Sequence, residues 1–222
     1  INKNIHIFCE KPTGTSYKKI FELNNLIQKK EIKSCIDFPF TEIEEFQELK
    51  MMLKNEQVGE IKKCNISWYF NAHHIKNNIP SWKSNKNEGG GLVSMYAAHT
   101  LNYIEYFFGK IVKILIIETN KTRLKINFKT LSGLTIETDI NINSEIKKVH
   151  KIEIYGTKKN IILLSNNPLR FSDFFIYLSN EEYLPIKVKK IDSDERYLYV
   201  NKLVKKFINS IELNTDMYPN FK

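Results

Sequence analysis

The sequence predicts a protein of the mixed α/β class that contains a large, mostly antiparallel sheet. Two observations carry this prediction: a strand–helix–strand order within residues 1–38, and five strand-like segments between residues 111 and 164. A strand–helix–strand unit is typical of parallel pairing, whereas strands joined by short turns are typical of antiparallel pairing. We therefore expect a small βαβ piece, a helical bridge, and then an open sheet that carries helices on one face.

The βαβ piece comes first along the chain. Residues 5–8 read as a strand, and Ser16 is a suitable N-cap for a helix with an apolar stripe. Residues 33–38 read as a second strand, which Pro39 ends. Because two strands are too few to stand alone, we expect this piece to be the end of a domain that begins upstream.

The helical bridge is predicted next. Thr41 is the expected N-cap of a helix, with Glu44 at the capping-box position. Residues 61–70 alternate apolar and polar side chains as a half-buried strand does, and residues 71–87 read as a long polar loop. Long loops in compact domains are often functional, so this loop is a candidate part of a site.

A triple-glycine stretch then opens an apolar helix that ends at Gly109. Glycines 89–91 allow close approach of the backbone, because no Cβ stands in the way. His99 and Asn102 are the two side chains in the middle of this helix that are expensive to bury. We expect the chemistry of the protein to lie here.

The remainder of the sequence predicts the sheet and a final helix. Alternation and turn residues indicate strands at residues 111–119, 124–130, 134–141, 149–155 and 160–164, with further candidates at 174–178 and 186–191. Residues 195–213 form an amphipathic helix pattern.

Composition and residue spacing argue against three kinds of partner: nucleic acids, membranes and metal ions. The chain has 222 residues, with 34 Lys and Arg against 25 Asp and Glu, for a net charge of +9. The lysines are spread along the chain rather than clustered, so we expect no nucleic-acid partner.

No signal-peptide pattern and no apolar run of membrane-spanning length occurs, so we expect a cytoplasmic protein without a membrane partner. The three cysteines and the His73-His74 pair lack ligand spacing, so we expect no metal.

Two residues are candidates for chemistry on their own pattern. Lys11 follows a strand at the end where open α/β sheets bind ligands, although such a lysine is more often a surface turn residue. His99 is the only histidine of its helix, and a histidine among apolar neighbours is more often structural than catalytic. Neither residue alone decides between these interpretations.

A series of short motifs in a fixed order resembles the glucose–fructose oxidoreductase, inositol dehydrogenase and rhizopine-catabolism (Gfo/Idh/MocA) family of nicotinamide-dependent sugar oxidoreductases. The matching segments are Glu10-Lys11-Pro12, Gly59-Glu60-Ile61, Trp82-Lys83, Gly89-Gly90-Gly91, His99, Ile154-Tyr155-Gly156-Thr157 and Tyr218-Pro219-Asn220-Phe221. Each motif is weak alone, but their order over nearly the whole chain is specific.

The resemblance implies a two-domain oxidoreductase. Residues 1–38 would be the C-terminal remnant of a Rossmann domain, and residues 39–222 a substrate-binding and dimerisation domain whose last helix is truncated. The glycine-rich dinucleotide fingerprint is not in this sequence, so we expect it upstream and expect this chain alone to bind NAD or NADP poorly and to be inactive. The resemblance further implies a homodimer or homotetramer formed through the open sheet face.

The resemblance also assigns roles to residues of the site. Lys11 and His99 would be catalytic, with Lys11 orienting the reacting hydroxyl and His99 exchanging its proton. The predicted cofactor-binding residues are Glu10, Lys11, Pro12, Trp82 and Lys83. Tyr96 and Asn102 are the predicted substrate-binding residues.

Three positions of the helix depart from the family pattern. Met95 stands where many members have an aspartate, Ala97 where a glycine is common, and Asn102 where a second aspartate occurs. A thioether cannot polarise His99 as a carboxylate would. The leading interpretation is thus an NAD(P)-dependent oxidoreductase acting on a hydroxyl of a sugar or nucleotide sugar. The alternatives are a non-catalytic sugar- or partner-binding member of the same fold, and a segment that serves only as an oligomerisation module.

Overall fold

The computed structural model describes residues 5–145, 147–179 and 194–221. Strand β1 (Ile7–Cys9), helix α1 (Tyr17–Lys29) and strand β2 (Ser34–Ile36) form the predicted βαβ piece, and β1 and β2 pair in parallel. Ser16 is the N-cap of α1, and its Oγ accepts a hydrogen bond from the amide of Lys19. A local capping signal was sufficient for this helix.

The start of the next helix was predicted wrongly. Helix α2 (Glu44–Lys54) has Ile43 as its N-cap, and Thr41 lies instead in a 3-10 turn, Pro39–Glu42. The Thr41 hydroxyl donates to the carbonyl of Phe38 at 3.4 Å, and no side chain caps α2. The turn places Phe40 in the main core, so tertiary burial outweighs the capping-box pattern.

The central sheet has seven strands within the described part of the chain. They are β3 (Ile61–Tyr69), β4 (Ile111–Thr119), β5 (Arg123–Thr130), β6 (Thr135–Asn141), β7 (Val149–Gly156), β8 (Asn160–Ser165) and β9 (Phe174–Leu178). Their order across the sheet is β4-β5-β6-β3-β7-β8-β9. The β3–β6 pair is parallel and every other pair is antiparallel, which confirms the predicted mostly antiparallel sheet.

The side chains on one face of this sheet form part of the main hydrophobic core. Along β3, Cys64, Ile66 and Trp68 are buried and alternate with more accessible neighbours, as the sequence predicted. Helix α2 and helix α4 (Ala98–Phe108) cover this face, and both contribute residues to the main hydrophobic cluster. The predicted strand at residues 186–191 lies outside the described residues.

The polar segment between β3 and the glycine stretch contains short helical turns. A four-residue helix, α3 (His73–Lys76), is followed by 3-10 turns at Trp82–Ser84 and Lys86–Glu88. Helix α4 is preceded by a π-helical turn at Val93–Ala97, and Gly109 ends it with φ 80°. π-helical turns occur often at functional sites.

The last helix, α5 (Arg196–Glu212), packs against the 3-10 turn that precedes α2. Lys206 forms an ion pair of 2.6 Å with the buried Glu42, and Lys202 pairs with Glu44. The predicted bounds of this helix, residues 195–213, agree with the structure to within one residue at each end.

Candidate functional site

Lys11 links the two-stranded sheet to the helix that carries His99. It lies two residues beyond the carboxyl end of β1, and its Nζ donates a hydrogen bond of 2.8 Å to the carbonyl oxygen of Met95. Burial lowers the pKa of Lys11 to about 8; Glu10 and Asp37 oppose this shift, and Lys83 adds to it. An amine in this range can be either charged or neutral near physiological pH.

His99 lies on α4, one residue after its start, and its ring is surrounded by aromatic side chains. The ring centroid of His99 is 5.6 Å from that of Phe38, 5.3 Å from Phe40 and 6.1 Å from Trp68. Its Nδ1 is buried, and no hydrogen-bond partner for it occurs among the described residues. Burial, followed by the charge of Lys11 and by His150, holds the pKa of His99 well below its usual value. The imidazole is therefore neutral at physiological pH, with one buried nitrogen that has no partner among the described residues.

Lys11 lies near enough to His99 for its charge to act on the imidazole ring. The carbonyl bound by Lys11 belongs to Met95, four residues and about one turn before His99. Met95 itself is 7% exposed, so the position where a carboxylate was expected holds a buried thioether.

The glycine stretch is held against the Trp82–Lys83 turn. A Cβ on Gly90 would lie 2.1 Å from the Trp82 carbonyl oxygen and 2.6 Å from that of Lys83, so no larger residue fits without movement of the backbone. The amide of Gly91 donates to the Lys83 carbonyl at 2.7 Å. Gly89, with φ 85°, approaches the side chains of Pro12 and Thr15. The predicted cofactor segments, residues 10–12 and 82–83, therefore lie on either side of one loop.

A cleft of about 930 Å³ opens beside this loop. Its lining includes Lys83, the three glycines and Tyr96, but neither Lys11 nor His99. Burial raises the pKa of Tyr96 to about 12, so its hydroxyl stays protonated and can donate. The cleft extends the site away from the Lys11–His99 pair.

Asn102 is buried and held by the C-terminal segment. Its Nδ2 donates to the hydroxyl oxygen of Tyr218 at 2.8 Å, and the Tyr218 hydroxyl donates to the backbone carbonyl of Asn102 at 2.6 Å. Its Oδ1 is buried, and no donor in the described part of the chain reaches it. The side chain of Asn102 is thus satisfied at its amide nitrogen and not at its amide oxygen.

Two carboxyl groups meet at the carboxyl end of β1 and β2. Asp37 is 8% exposed, and its carboxyl lies within hydrogen-bonding reach of that of Glu10. Burial raises the pKa of Asp37 to about 6, the charge and hydrogen bond of Glu10 add to the shift, and Lys11 opposes it. Sequence reasoning missed Asp37 because it lay inside the predicted strand 33–38, whereas β2 ends at Ile36; an acidic residue near the carboxyl end of a predicted parallel strand was the signal that could have found it.

His150 is a second buried imidazole beneath the site that sequence reasoning missed. It is 0% exposed, stacks on Trp68 at 4.7 Å, and its Nε2 is 3.1 Å from the Tyr103 hydroxyl oxygen. Burial lowers its pKa to about 3. Its position within a strand gave no chemical signal in the sequence.

The described residues contain no group of three or more His, Cys, Asp or Glu side chains placed to hold a metal ion. No helix among them is both long and apolar enough to cross a membrane.

Comparison with known proteins gives consistent matches. A family model described as the GFO/IDH/MocA C-terminal domain matches residues 46–162. An uncharacterized oxidoreductase of Synechocystis sp. is 26% identical over an alignment of 181 residues; the match covers 73% of this chain and 49% of the relative. The matched part of the chain thus covers about half the length of this curated relative.

Solved structures are similar in fold. A levoglucosan dehydrogenase in complex with NADH and levoglucosan matches with a TM-score of 0.82 at 16% identity, covering 99% of this chain and 68% of that one. An NAD binding oxidoreductase from Klebsiella pneumoniae matches with a TM-score of 0.76 at 18% identity, covering 97% and 67%.

Proposed function

Since this chain belongs to the Gfo/Idh/MocA family by its match over residues 46–162, we propose that it supplies the substrate side of the active site of an NAD(P)-dependent oxidoreductase. The reaction is hydride transfer to or from a carbon that bears a hydroxyl of a sugar or nucleotide sugar. Within this proposal, residues 1–38 are the end of a Rossmann domain and residues 39–222 the substrate domain.

One observation carries the proposal. Lys11, at the end of β1, donates a hydrogen bond of 2.8 Å from Nζ to the carbonyl of Met95, about one turn before His99, and its charge acts on the His99 ring. A cation and a neutral imidazole with an unpartnered nitrogen form a pair that can hold a hydroxyl and move its proton.

The residues present fit the nicotinamide end of the cofactor. Gly90 lets the Trp82–Lys83 turn lie directly against the glycine stretch, the Trp82 side chain is 44% exposed there, and Lys83 and Lys11 are near enough for their charges to interact. Glu10, Lys11, Pro12, Trp82 and Lys83 would hold this group. When bound, the nicotinamide ring accepts or donates the hydride.

The two catalytic residues have complementary roles. In the oxidation direction, the neutral His99 ring accepts the hydroxyl proton, and the Lys11 ammonium donates a hydrogen bond to the same oxygen as it becomes a carbonyl. Reduction reverses these steps. Burial of His99 favours the neutral form that the first step needs.

Two polar side chains of the helical segment and one structurally similar protein support the proposed substrate class. Tyr96 presents a protonated hydroxyl, and Asn102 presents a buried amide oxygen without a partner among the described residues. The solved levoglucosan dehydrogenase is, by its description, bound to a sugar. We assign Tyr96 and Asn102 to substrate binding on this basis.

An assembly through the sheet is part of the proposal. Strand β4 exposes Val112, Ile114, Leu115, Ile116 and Ile117, each by about half of its surface (49–55%). Successive side chains of a strand point to opposite faces, so both faces of this edge strand are apolar and exposed. Such a surface marks an interaction site, and we propose a homodimer or homotetramer formed through the open face of the sheet.

A non-catalytic binding protein of the same fold is the second candidate, and the buried Met95 is the observation that favours it. An assay distinguishes the oxidoreductase from the binding protein. In it, the full-length protein is mixed with oxidised or reduced NAD or NADP and with a panel of sugars. The oxidoreductase should change absorbance at the wavelength of reduced nicotinamide with at least one sugar. Tight sugar binding without any absorbance change would instead establish the binding protein.

A further inference from the structure

We propose that Asp37 is a positioning residue for Lys11, and that its carboxylate supplies from the end of β2 the negative charge that position 95 lacks. The proposal rests on the proposed function, because it adds a residue to that site. Asp37 acts through Lys11 and contacts no reacting atom in this scheme.

The backbone fixes where Asp37 lies. Cys9 of β1 pairs with Ile36 of β2, and the amide of Asp37 donates to the Cys9 carbonyl at 2.9 Å. Glu10 and Asp37 each follow directly after one of these paired residues, so both leave the sheet at the same edge. Lys11 is the next residue after Glu10, and its amide donates to Glu10 Oε2 at 3.2 Å.

The side chains at this edge form a compact charged group. Asp37 is 8% exposed, and its Oδ1 is buried with no donor in the described part of the chain. Two carboxyl groups within hydrogen-bonding reach can share a proton, because a protonated carboxyl becomes a donor. A buried carboxylate that is not paired is costly, and the Lys11 ammonium is near enough for its charge to stabilise the ionised Asp37.

The charges act on Lys11 in a definite direction. Burial and Lys83 favour the neutral amine, whereas Glu10 and Asp37 favour the ammonium. With the pKa of Asp37 at about 6 and that of Lys11 at about 8, both groups are charged between these two pH values. Below this window Asp37 is protonated and Lys11 loses a counter-charge; above it Lys11 itself becomes neutral.

Other titratable groups face this pair and stay unchanged in the variants that test it. Those that interact with Lys11, Asp37 or Glu10 are Cys9, Cys35, Lys83, His99 and Arg196.

Asp37 carries the negative charge that the side chain at position 95 does not carry. Met95 is buried and uncharged, and it offers Lys11 only its backbone carbonyl. A carboxylate delivered by β2 restores the charge balance without a change in the helix. An enzyme that has methionine at position 95, where many family members have aspartate, can then still be active.

The test replaces Asp37 by Asn in the full-length protein and uses two measurements. The first is kcat as a function of pH. The second is the pH dependence with which an amine-reactive reagent labels Lys11, measured by mass spectrometry of the Lys11 peptide. We expect kcat at pH 7 to fall about tenfold or more, and the midpoint of Lys11 labelling to move to lower pH, because a charge that favours the ammonium is lost.

The controls separate this role from a structural one. Asp37→Glu keeps the charge and should restore most of the labelling midpoint. Asp216→Asn removes an exposed carboxylate 3.7 Å from Lys33 and should change neither measurement. If Asp37→Asn does not fold, the smaller neutral variant Asp37→Ser replaces it.

An unchanged labelling midpoint in a folded neutral variant would overturn the proposal. Labelling needs neither cofactor nor substrate, so it decides the role of Asp37 even if the wild-type protein shows no oxidoreductase activity. That second result would count against the proposed function alone.

Discussion

Lys11 Nζ binds the Met95 carbonyl oxygen at 2.8 Å although the two residues are 84 positions apart in the chain. This hydrogen bond joins the end of β1 to the π-helical turn that leads into α4. A lysine whose ammonium group is anchored to a helix backbone has lost most of its freedom before a ligand arrives, and such preorganisation favours catalysis.

Lys11→Ala and His99→Ala are each expected to lower kcat of the full-length enzyme about 100-fold or more, with folding preserved. The reason is that each variant removes one of the two groups proposed to act on the reacting hydroxyl. Steady-state kinetics measures kcat of each variant. Thermal unfolding of the same variants checks that they are folded. Lys18→Ala, at an exposed position of α1, should behave as wild type, and a wild-type kcat for His99→Ala would remove His99 from its proposed role.

Gly90→Ala is expected to destabilise the protein by about 1–3 kcal/mol and to reduce activity, because the added Cβ would overlap the Trp82 and Lys83 backbone. Denaturant unfolding measures the free energy. Gly14→Ala is the matched control: its Cβ meets only the end of the Ile20 side chain, which can turn away. Equal unfolding free energies for Gly90→Ala and wild type would contradict the close approach.

His150→Phe is expected to weaken the loss of stability in acid. The pKa of His150 is about 3 in the folded protein because of burial, and about 6.5 when unfolded. Between these values the unfolded chain binds the extra proton, so His150 costs about 1.4 kcal/mol for each pH unit below 6.5. Phenylalanine keeps a ring against Trp68 but does not titrate.

The measurement is the free energy of unfolding between pH 7 and pH 4. At pH 7, His150→Phe should lose about 1–3 kcal/mol, since the buried Tyr103 hydroxyl loses its partner. Tyr103→Phe keeps the imidazole and should therefore keep the wild-type slope with pH. Parallel slopes for wild type and His150→Phe would show that another group controls acid unfolding.

Local chemistry explains what could be predicted from the sequence. Ser16 caps its helix through a bond to Lys19, three residues away, so the signal and its effect lie together in the chain. The alternation of Ile66 and Trp68 with polar neighbours likewise reports burial directly. The pairing of Lys11 with His99 followed from the family resemblance rather than from periodicity.

What could not be predicted depends on distant contacts. Thr41 has a capping-box pattern, but the burial of Phe40 among aromatic rings from other elements decides the backbone there. The partner of Asn102 is Tyr218, 116 residues later. The importance of Asp37 depends on Lys11 and Glu10 being brought to the same sheet edge, which no window of sequence displays.

The C-terminal segment beside β2 has a consequence for synthesis. The amide of Ile36 donates to the Pro219 carbonyl, and the amide of Phe221 donates to Ser34 Oγ across 187 residues. A ribosome adding about 5–20 residues per second needs roughly ten to forty seconds to cover that distance. During this interval the outer edge of β2 lacks these partners and is open to wrong strand pairing. The Lys11 half of the site thus reaches its final surroundings only when translation has passed residue 221.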